Sequence, residues 1–168
     1  SVNTTAFPFL LINTDARSGG MGNLGVASSA DAFSQYWNPA KYIFSEEHAI
    51  LGVSHVPNIV SAATSLSNLT FYSKGKKRGV WSGAVNYFNY GELNYSELVG
   101  GEIVEQGSAN PAEWDVNVSF SLPLSERFSM GVTTKYIHSN ILRLAEGGKG
   151  NNGIGFDIDA LKSDKTMG

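Results

Sequence analysis

The sequence predicts an all-β protein, an antiparallel transmembrane β-barrel that is preceded by an N-terminal plug segment. Three observations lead to this prediction. From about residue 47 onward, apolar and polar residues alternate with the period of two that is typical of strands with unlike faces. The connections between these strands are short and long in strict alternation. Only 16 % of the 168 residues are charged, against about 25 % in a typical soluble domain.

The chain divides into two regions by its residue pattern. Residues 1–46 are rich in glycine, serine, alanine, asparagine and aspartate and have no sustained period. Glycine permits the close packing of a compact irregular segment, and irregular backbone is tolerated at membrane depth where protein groups or water satisfy it. We therefore expect 1–46 to form a plug (or hatch) inside the barrel, and 47–168 to form the N-terminal part of the barrel.

Six strands are predicted in the second region. The clearest is Glu113–Pro123, which has apolar residues at its even positions and mostly polar residues at its odd positions. Arg127–Ser139 alternates in the same sense, and a last strand around Ile154–Ile158 places isoleucine and phenylalanine opposite aspartate and glycine. The three weaker strands are Ala49–Val56, Leu66–Ser73 and Val80–Tyr90.

Connection lengths favour a membrane barrel over a soluble antiparallel sandwich, which would also alternate. The links at 74–78 and 124–126 are short, whereas those at 57–65, 91–112 and 140–153 are longer. Membrane barrels have short periplasmic turns and long extracellular loops, and a sandwich has no reason to follow this order. A soluble β-sandwich binding module stays open as the non-membrane alternative.

The barrel interpretation assigns the two faces of the strands. The lipid face of the three clearest strands carries no Asp, Glu, Lys or Arg, as contact with hydrocarbon requires, so we expect outer-membrane lipid to surround it. The lumen face is expected to be polar. Its predicted members are Asp115, Asn117, Lys135, Asp157 and Asp159.

Aromatic residues gather where the predicted third strand meets its long loop. They are Tyr87, Phe88, Tyr90 and Tyr95. Aromatic side chains are enriched in the girdles at the two edges of a membrane barrel, so we expect these four to form an outer interfacial girdle.

Six strands are fewer than a closed membrane barrel needs. Eight strands are about the practical minimum, and an open six-stranded sheet would leave unpaired edges in lipid. After Leu161 no further alternating strand follows. We therefore expect this chain to supply the N-terminal portion of a longer barrel.

No residue pattern indicates catalysis, a cofactor or a metal. The chain has no cysteine, and His48, His55 and His138 are scattered without a second ligand at metal spacing. His138 and Ser139 are adjacent in a predicted strand, so they point to opposite faces and cannot form a catalytic dyad. The net charge of −3 gives no reason to expect nucleic acid. We expect a protein that is not an enzyme and has no cofactor.

Three further motifs have ordinary explanations. Gly20–Gly25 and Gly148–Gly153 both match G-x-G-x-x-G, but a dinucleotide site needs these glycines directly between a strand and a helix. Residues 13–19 separate the first stretch from the preceding apolar run, and the second lies between two predicted strands. The basic cluster Lys74–Arg78 is interpreted as a solvated hairpin turn and not as a contact for an anionic surface.

The most specific motifs lie in Phe7–Phe44. They are Phe7–Ile12 (FPFLLI), Asp15–Arg17, Gly20–Gly22, Gly25–Ala27, Asp31–Ala32 and Gln35–Lys41 (QYWNPAK). With these motifs the segment resembles the start of the PorV family, a group of FadL-like outer-membrane β-barrels. The run Leu122–Ser129 is similar to the periplasmic hairpins of that group.

This resemblance implies a barrel of roughly fourteen strands in the bacterial outer membrane, of which the chain supplies the plug and about the first six. It also implies a carrier or adaptor of the type IX secretion system. Such proteins bind the C-terminal domain of secreted cargo at a SprA-type translocon. They deliver the cargo to a surface attachment complex that contains a PorU-type sortase, and the chemistry belongs to the sortase.

We expect the long loop Gly91–Ala112 to make part of these partner contacts, because it is more apolar than an idle surface loop requires. The residues concerned are Leu93, Tyr95, Leu98, Val99 and Ile103. Packing against neighbouring loops is the alternative explanation for them. Two other functions stay open: FadL-type transport of hydrophobic small molecules, which the polar predicted lumen disfavours, and a PorQ-like component of the attachment complex.

Overall fold

The computed structural model of the protein describes residues 7–20, 22, 25, 28–57, 59, 63–75, 79–99, 102–141 and 150–163. In this part of the chain, eight strands form two antiparallel sheets. Their bounds are β1 Ala49–Pro57, β2 Ser65–Lys74, β3 Val80–Asn89, β4 Leu93–Val99, β5 Glu102–Ala109, β6 Ala112–Ser125, β7 Phe128–Ser139 and β8 Asn151–Lys162.

Six of the strands form one sheet with the order β1-β2-β3-β6-β7-β8, and β4 and β5 form a separate two-stranded sheet. β3 pairs directly with β6 along its whole length, from Val80 opposite Ser121 to Asn89 opposite Ala112. The β4–β5 hairpin therefore leaves the large sheet between two strands that are themselves paired. The predicted all-β antiparallel fold is confirmed, and all six predicted strands are present.

Two predicted connections differ from the structure. The stretch Gly91–Ala112, predicted as a loop, contains β4 and β5, and a register shift between Tyr95 and Ser96 breaks the alternation that would have revealed them. The turn predicted at 124–126 lies one residue later, at Glu126 and Arg127, because β6 continues to Ser125 through an irregularity after Pro123. Proline has no N–H for the ladder and is tolerated at such an irregularity.

The connections alternate between the two ends of the large sheet. We call the end with the links 58–64, 90–111 and 140–150 the loop end, and the end with the links 75–79 and 126–127 the turn end. This alternation of long and short connections was predicted. It places the β4–β5 hairpin at the loop end.

The covered face of the large sheet is polar, and we call it the polar face. Its buried polar side chains, which are at most 9 % exposed, include Asn68, Thr70, Ser82, Asn86, Asp115, Asn117, Ser119, Ser121, Ser129 and Thr133. The opposite side, the outer face, is apolar and open. Its exposed fractions run from 42 % to 55 % for Leu69, Phe71, Trp81, Val85, Val118 and Val132. The sheet thus has the inverse of the usual soluble pattern, as the barrel interpretation predicts.

The predicted aromatic girdle is only partly correct. Tyr87 lies on the outer face and is 47 % exposed, but Phe88 is 1 % exposed on the covered face, and Tyr90 packs against the same cluster as Phe88. Neighbouring residues of a strand point to opposite faces, so Tyr87 and Phe88 cannot share one girdle. The side chain of Tyr95 lies outside the described part of the structure.

Short helical elements form the N-terminal segment, residues 7–46. They are the 3₁₀ helix Pro8–Leu11, α1 Ala16–Gly20, α2 Ser34–Trp37 and the 3₁₀ helix Pro39–Phe44. Both 3₁₀ helices begin with proline, which has no N–H to leave unpaired at that position. The Asn38 side chain accepts a hydrogen bond from the Ala40 N–H at 2.9 Å and so caps the second one.

The N-terminal segment extends along the polar face from one end of the sheet to the other. At the loop end Phe9 packs with Leu66, Phe88 and Ile137 in one buried cluster. At the turn end Tyr42 and Ile43 pack with Tyr72 and Val80 in a second cluster. The two apolar clusters therefore lie at the two ends of a polar middle layer.

The edges of the large sheet are β1 and β8 within the described residues. No helix among these residues has the length and apolar character needed to cross a membrane. The expectation of a longer, closed barrel stays a prediction.

A charge on the outer face tests whether that face meets lipid. We expect Val118→Arg to lower the free energy of unfolding in lipid vesicles by about 2–4 kcal/mol, because Val118 lies in the middle of β6. Leu124→Arg, at the turn end, is the matched control and should cost about 0–1 kcal/mol. Urea unfolding followed by tryptophan fluorescence measures both. Equal small effects would contradict the lipid-facing assignment, because both side chains are exposed to begin with.

Candidate functional site

The candidate site is the layer in which the N-terminal segment meets the polar face. Hydrogen-bonded contacts at four places mark its extent across the sheet. The Ser54 hydroxyl donates to the Thr14 carbonyl at 2.7 Å, and the Ser129 hydroxyl donates to the Ala40 carbonyl at 2.8 Å. The Asn38 amide donates to the Ala160 carbonyl of β8 at 3.0 Å. The fourth contact comes from Gln35 and lies at the centre.

Gln35 is the central contact between the two layers. It lies in α2 and is 5 % exposed. Its Nε2 donates to Asn117 Oδ1 at 2.8 Å and to Ser119 Oγ at 2.6 Å. Its backbone N–H donates to the Tyr42 hydroxyl at 2.7 Å, so side chain and backbone are both held.

Tyr42 supports this arrangement from within the N-terminal segment. Burial raises the pKa of its hydroxyl, so the group keeps its proton over the physiological range. The hydroxyl accepts from Gln35 and donates to the Ala32 carbonyl at 3.1 Å. The ring stacks on Tyr72 of β2 with a centroid distance of 4.2 Å. Tyr42 therefore ties α2 to the second 3₁₀ helix and to the sheet.

Asp115 is the buried carboxylate of the polar face and is 1 % exposed. Its Oδ1 accepts from Asn117 Nδ2 at 2.9 Å, and its Oδ2 accepts from Asn86 Nδ2 at 2.8 Å. Asn86 Oδ1 in turn accepts from Asn68 Nδ2 at 2.6 Å. The three strands β2, β3 and β6 are thereby linked by side chains as well as by their backbones.

A second acidic residue supports the same layer from β8. The Thr133 hydroxyl lies 3.3 Å from Asp159 Oδ2 and 2.6 Å from the Ser119 hydroxyl, which accepts from Gln35. The predicted lumen residues Asp115, Asn117 and Asp159 thus belong to one hydrogen-bonded network. Lys135 and Asp157 also lie together, as an ion pair at 2.6 Å with side chains 32 % and 49 % exposed.

A buried lysine holds the glycine-rich turn of the N-terminal segment. Lys41 is 2 % exposed, and its Nζ donates to the Gly25 carbonyl at 2.7 Å and to the Ser28 hydroxyl at 3.1 Å. A Cβ at Gly25 would lie 2.0 Å from Nε1 of Trp37, so only glycine lets the indole pack there. The indole N–H donates to the Ser18 hydroxyl at 3.0 Å. Of the glycines of the motif at residues 20–25 that the structure describes, Gly25 alone serves this packing.

A cavity of about 240 Å³ lies between the N-terminal segment and the polar face. Asp115, Asn117, Asn86, Asn68 and Lys135 line it on the side of the sheet. The N-terminal segment contributes Phe9, Leu10, Ile12, Thr14, Phe33, Gln35, Tyr36 and Trp37. One wall is thus rich in hydrogen-bonding groups and the other is mostly apolar or aromatic.

The residues predicted to bind partners lie in the β4–β5 hairpin, away from this cavity. Leu93, Tyr95, Leu98 and Val99 are in β4, and Ile103 is in β5 opposite Leu98 in the strand register. Their backbone is described and their side chains are not. Their role in partner binding stays a prediction.

Sequence reasoning missed the residue that joins the N-terminal segment to the sheet, Gln35, and the buried residue that holds the segment itself together, Lys41. Gln35 and Lys41 were noticed only as parts of the motif QYWNPAK, without a role. The available signal was a polar and a basic residue in a region that is otherwise poor in long polar side chains. Their partners could not be found from sequence, since Gln35 contacts residues 82 and 84 positions away.

No group of three or more histidine, aspartate or glutamate side chains in the described ranges is arranged to hold a metal ion. Comparison with protein families gives a match to the family described as "Type IX secretion system protein PorV", over residues 1–165. A search of curated proteins found no match. The family match covers nearly the whole chain, including the N-terminal segment, the hairpin and the large sheet.

Gln35→Leu tests the central contact. The substitution leaves Asn117 Oδ1 and Ser119 Oγ without their donor, which should lower the free energy of unfolding by about 1–3 kcal/mol. Limited proteolysis in detergent should then cut the N-terminal segment faster. Ser67→Ala is the control, because it removes an exposed hydrogen bond to His55 and should stay within about 0.5 kcal/mol of the original protein. Equal stability of the two variants would show that Gln35 is not the central contact.

Two glycine substitutions separate packing from backbone effects. Gly25→Ala should destabilise the N-terminal segment by about 1–3 kcal/mol, because its Cβ would overlap the Trp37 indole. Gly20→Ala should be tolerated, because no atom lies within 4 Å of a Cβ at that position. The fluorescence of Trp37 and the proteolysis rate of the segment report on both. A tolerated Gly25→Ala would mean that the indole does not occupy this place.

Proposed function

The chain belongs to the PorV family of type IX secretion system proteins, and we propose that it serves this system as an outer-membrane carrier. In this role it binds the C-terminal domain of secreted cargo at a SprA-type translocon. It then delivers the cargo to the attachment complex that contains a PorU-type sortase. The barrel supplies the membrane anchor and the binding surface, and the sortase supplies the chemistry.

The observation that carries this proposal is the β4–β5 hairpin. It is a second sheet that stands outside the large one, at the loop end, between two strands that pair without it. The large sheet does not need the hairpin to complete its backbone hydrogen bonds, because β3 and β6 already pair with each other. An extra ordered hairpin at the end with the long loops therefore suits a role in recognition.

The base of the hairpin is firmly attached to the sheet. Phe88 and Tyr90 contact edge to face with a centroid distance of 4.5 Å, and the Tyr90 hydroxyl donates to Glu113 Oε2 at 2.6 Å. Gly91 has a φ of 78° and packs against Ala63, where a Cβ would lie 2.4 Å from the Ala63 Cβ. These contacts fix the direction in which the chain leaves the sheet, which favours a defined binding surface.

The loop-end apolar cluster connects this base to the N-terminal segment. Phe9 packs on Phe88 with a ring centroid distance of 6.5 Å, and Tyr90 packs against the same cluster. Phe9 belongs to the motif FPFLLI, so this motif has a structural role beneath the hairpin. The arrangement supports a carrier whose plug segment stabilises its loop end.

The outer face supports the proposed membrane location. Apolar side chains from all six strands of the large sheet are exposed there, and the hydrogen-bonding groups lie on the covered side. Lipid is the surrounding in which such a distribution is stable. FadL-type passage of hydrophobic molecules receives less support, because the strands β2, β3, β6 and β7 each carry buried polar side chains between the two apolar clusters of the covered face.

Removing the apolar side chains of the hairpin tests the carrier role. In the variant, Leu93, Tyr95, Leu98, Val99 and Ile103 are each replaced by threonine, which keeps strand propensity. We expect co-purification of a cargo protein that bears the C-terminal domain to fall at least about tenfold, as for loss of a central apolar contact. Heat-modifiable migration on a gel reports that the barrel is folded.

The matched control keeps the apolar residues and changes polar ones of the same hairpin. Asn94, Glu97, Glu102, Glu105 and Gln106 are replaced by threonine, and cargo capture should stay within about threefold of the original. Unchanged capture in the apolar variant, with the barrel folded, would remove the hairpin from the binding surface.

A further inference from the structure

The β4–β5 hairpin is a sheet of only two strands within the residues that the structure describes. A lone two-stranded hairpin is marginally stable in water, and a third strand or a packed face is what stabilises one. The two strands pair with each other from Leu93 opposite Ala109 to Val99 opposite Glu102. The other side of each strand is an edge, where every second residue turns its N–H and C=O groups away from the hairpin.

The edge of β5 is interrupted. Tyr95 lies opposite Gly107 and Ser96 opposite Glu105, so Gln106 has no residue opposite it in β4. Gly107 has a φ of 149°, a backbone conformation that residues with a side chain rarely adopt. An extra residue of this kind twists the strand and breaks the regular spacing of its edge groups. Natural sheets use such irregularities to prevent an edge from pairing further.

The edge of β4 has none of these obstacles. It runs for seven residues, Leu93–Val99, with the sequence LNYSELV. Proline, lysine and extra residues normally guard an exposed edge, and β4 contains none of them. Of the two edges of the hairpin, that of β4 is therefore the one suited to further pairing.

Charge distinguishes between two kinds of occupant for this edge. Residues 91–111 contain four glutamates, at positions 92, 97, 102 and 105, and neither lysine nor arginine. A second copy of the hairpin would bring the same negative charges against these, and like charges on facing strands destabilise a sheet. A strand that is neutral or carries lysine and arginine meets no such repulsion.

We propose that the edge of β4 binds an extended segment of the cargo, which adds to the hairpin as a third strand. The inference rests on the proposed carrier function and specifies how the hairpin recognises the cargo. In this mode of binding, hydrogen bonds between backbones supply the attraction. Because every residue type except proline can donate such a bond, the edge would accept segments of differing sequence.

Amide hydrogen exchange resolved to single residues tests the proposal on the unmodified protein. The full chain in detergent is measured alone and with the cargo protein that bears the C-terminal domain. Alone, every second amide of Leu93–Val99 should exchange rapidly. With cargo, these amides should slow at least about tenfold, the protection of one good hydrogen bond, while the outward amides of β5 stay within about twofold.

The same measurement has outcomes that would contradict strand addition. Slow exchange of all β4 amides in the free protein would mean that another part of the protein, or a second copy, already covers the edge. Equal slowing in β4 and β5, or slowing in neither, with cargo bound would mean recognition by side chains and would leave the carrier function intact. No capture of cargo at all would remove the carrier function together with this inference.

Proline at the edge of β4 tests the backbone contact directly. Ser96 and Glu97 are neighbours, so their N–H groups point to opposite sides of the strand, and the one that exchanges rapidly in the free protein points outward. Ser96→Pro or Glu97→Pro, whichever is at the outward position, removes an edge N–H and is tolerated on an edge strand. Cargo capture should fall at least about fivefold. Threonine at the same position keeps the N–H, and capture should stay within about twofold.

The residue directly opposite in β5 provides the control for the other edge. It is Glu105 for Ser96 and Val104 for Glu97. Opposite residues of an antiparallel pair both face inward or both face outward, so proline there also removes an outward N–H, and capture should stay within about twofold. Heat-modifiable migration again reports folding of the barrel. An equal fall for the two proline variants, or equal capture by the proline and threonine variants of β4, would overturn the proposal.

Discussion

The middle of the covered face of the large sheet is rich in serine, threonine, asparagine and aspartate side chains, and these groups need hydrogen-bond partners wherever water is excluded. The N-terminal segment provides many of those partners through its own side chains and backbone carbonyls. Since the apolar side of the sheet faces outward, the hydrophobic effect alone cannot hold the two layers together. Directional hydrogen bonds therefore determine where the segment lies.

Asp115 has a special place in this layer because it fixes the direction of the bonds around it. Its two oxygens accept hydrogen bonds from the amide nitrogens of Asn117 and Asn86. Each of these asparagines then accepts, at its own amide oxygen, a hydrogen bond from a further amide, that of Gln35 or Asn68. A neutral amide at position 115 could take part in the same contacts with either orientation. A carboxylate allows only one, because both of its oxygens can only accept.

Apolar contacts act at the two ends of the same layer. The Phe9 cluster lies at the loop end, beneath the base of the β4–β5 hairpin, and the Tyr42 cluster lies at the turn end. The N-terminal segment is thus held at both ends by packing and in the middle by hydrogen bonds. Recognition by the hairpin would depend on this segment, since Phe9 contacts Phe88 at the base of the hairpin.

The sequence by itself determined the six strands of the large sheet, their alternating connections and the inverted faces, because each of these depends on local periodicity and on side-chain chemistry. The even and odd positions of β6 and β7 were assigned to the correct faces in this way, and the motifs of Phe7–Phe44 indicated the family that the comparison shows. The tertiary structure alone decided what crosses between the layers. Gln35 contacts β6 and Lys41 is buried against Gly25, and in both cases the partners are distant in the chain. Phe88 faces inward because of its position in the strand, where a shift by one residue would have turned it outward. A pattern of period two carries no information about such partners, and a register irregularity such as the one after Tyr95 conceals even the strands themselves.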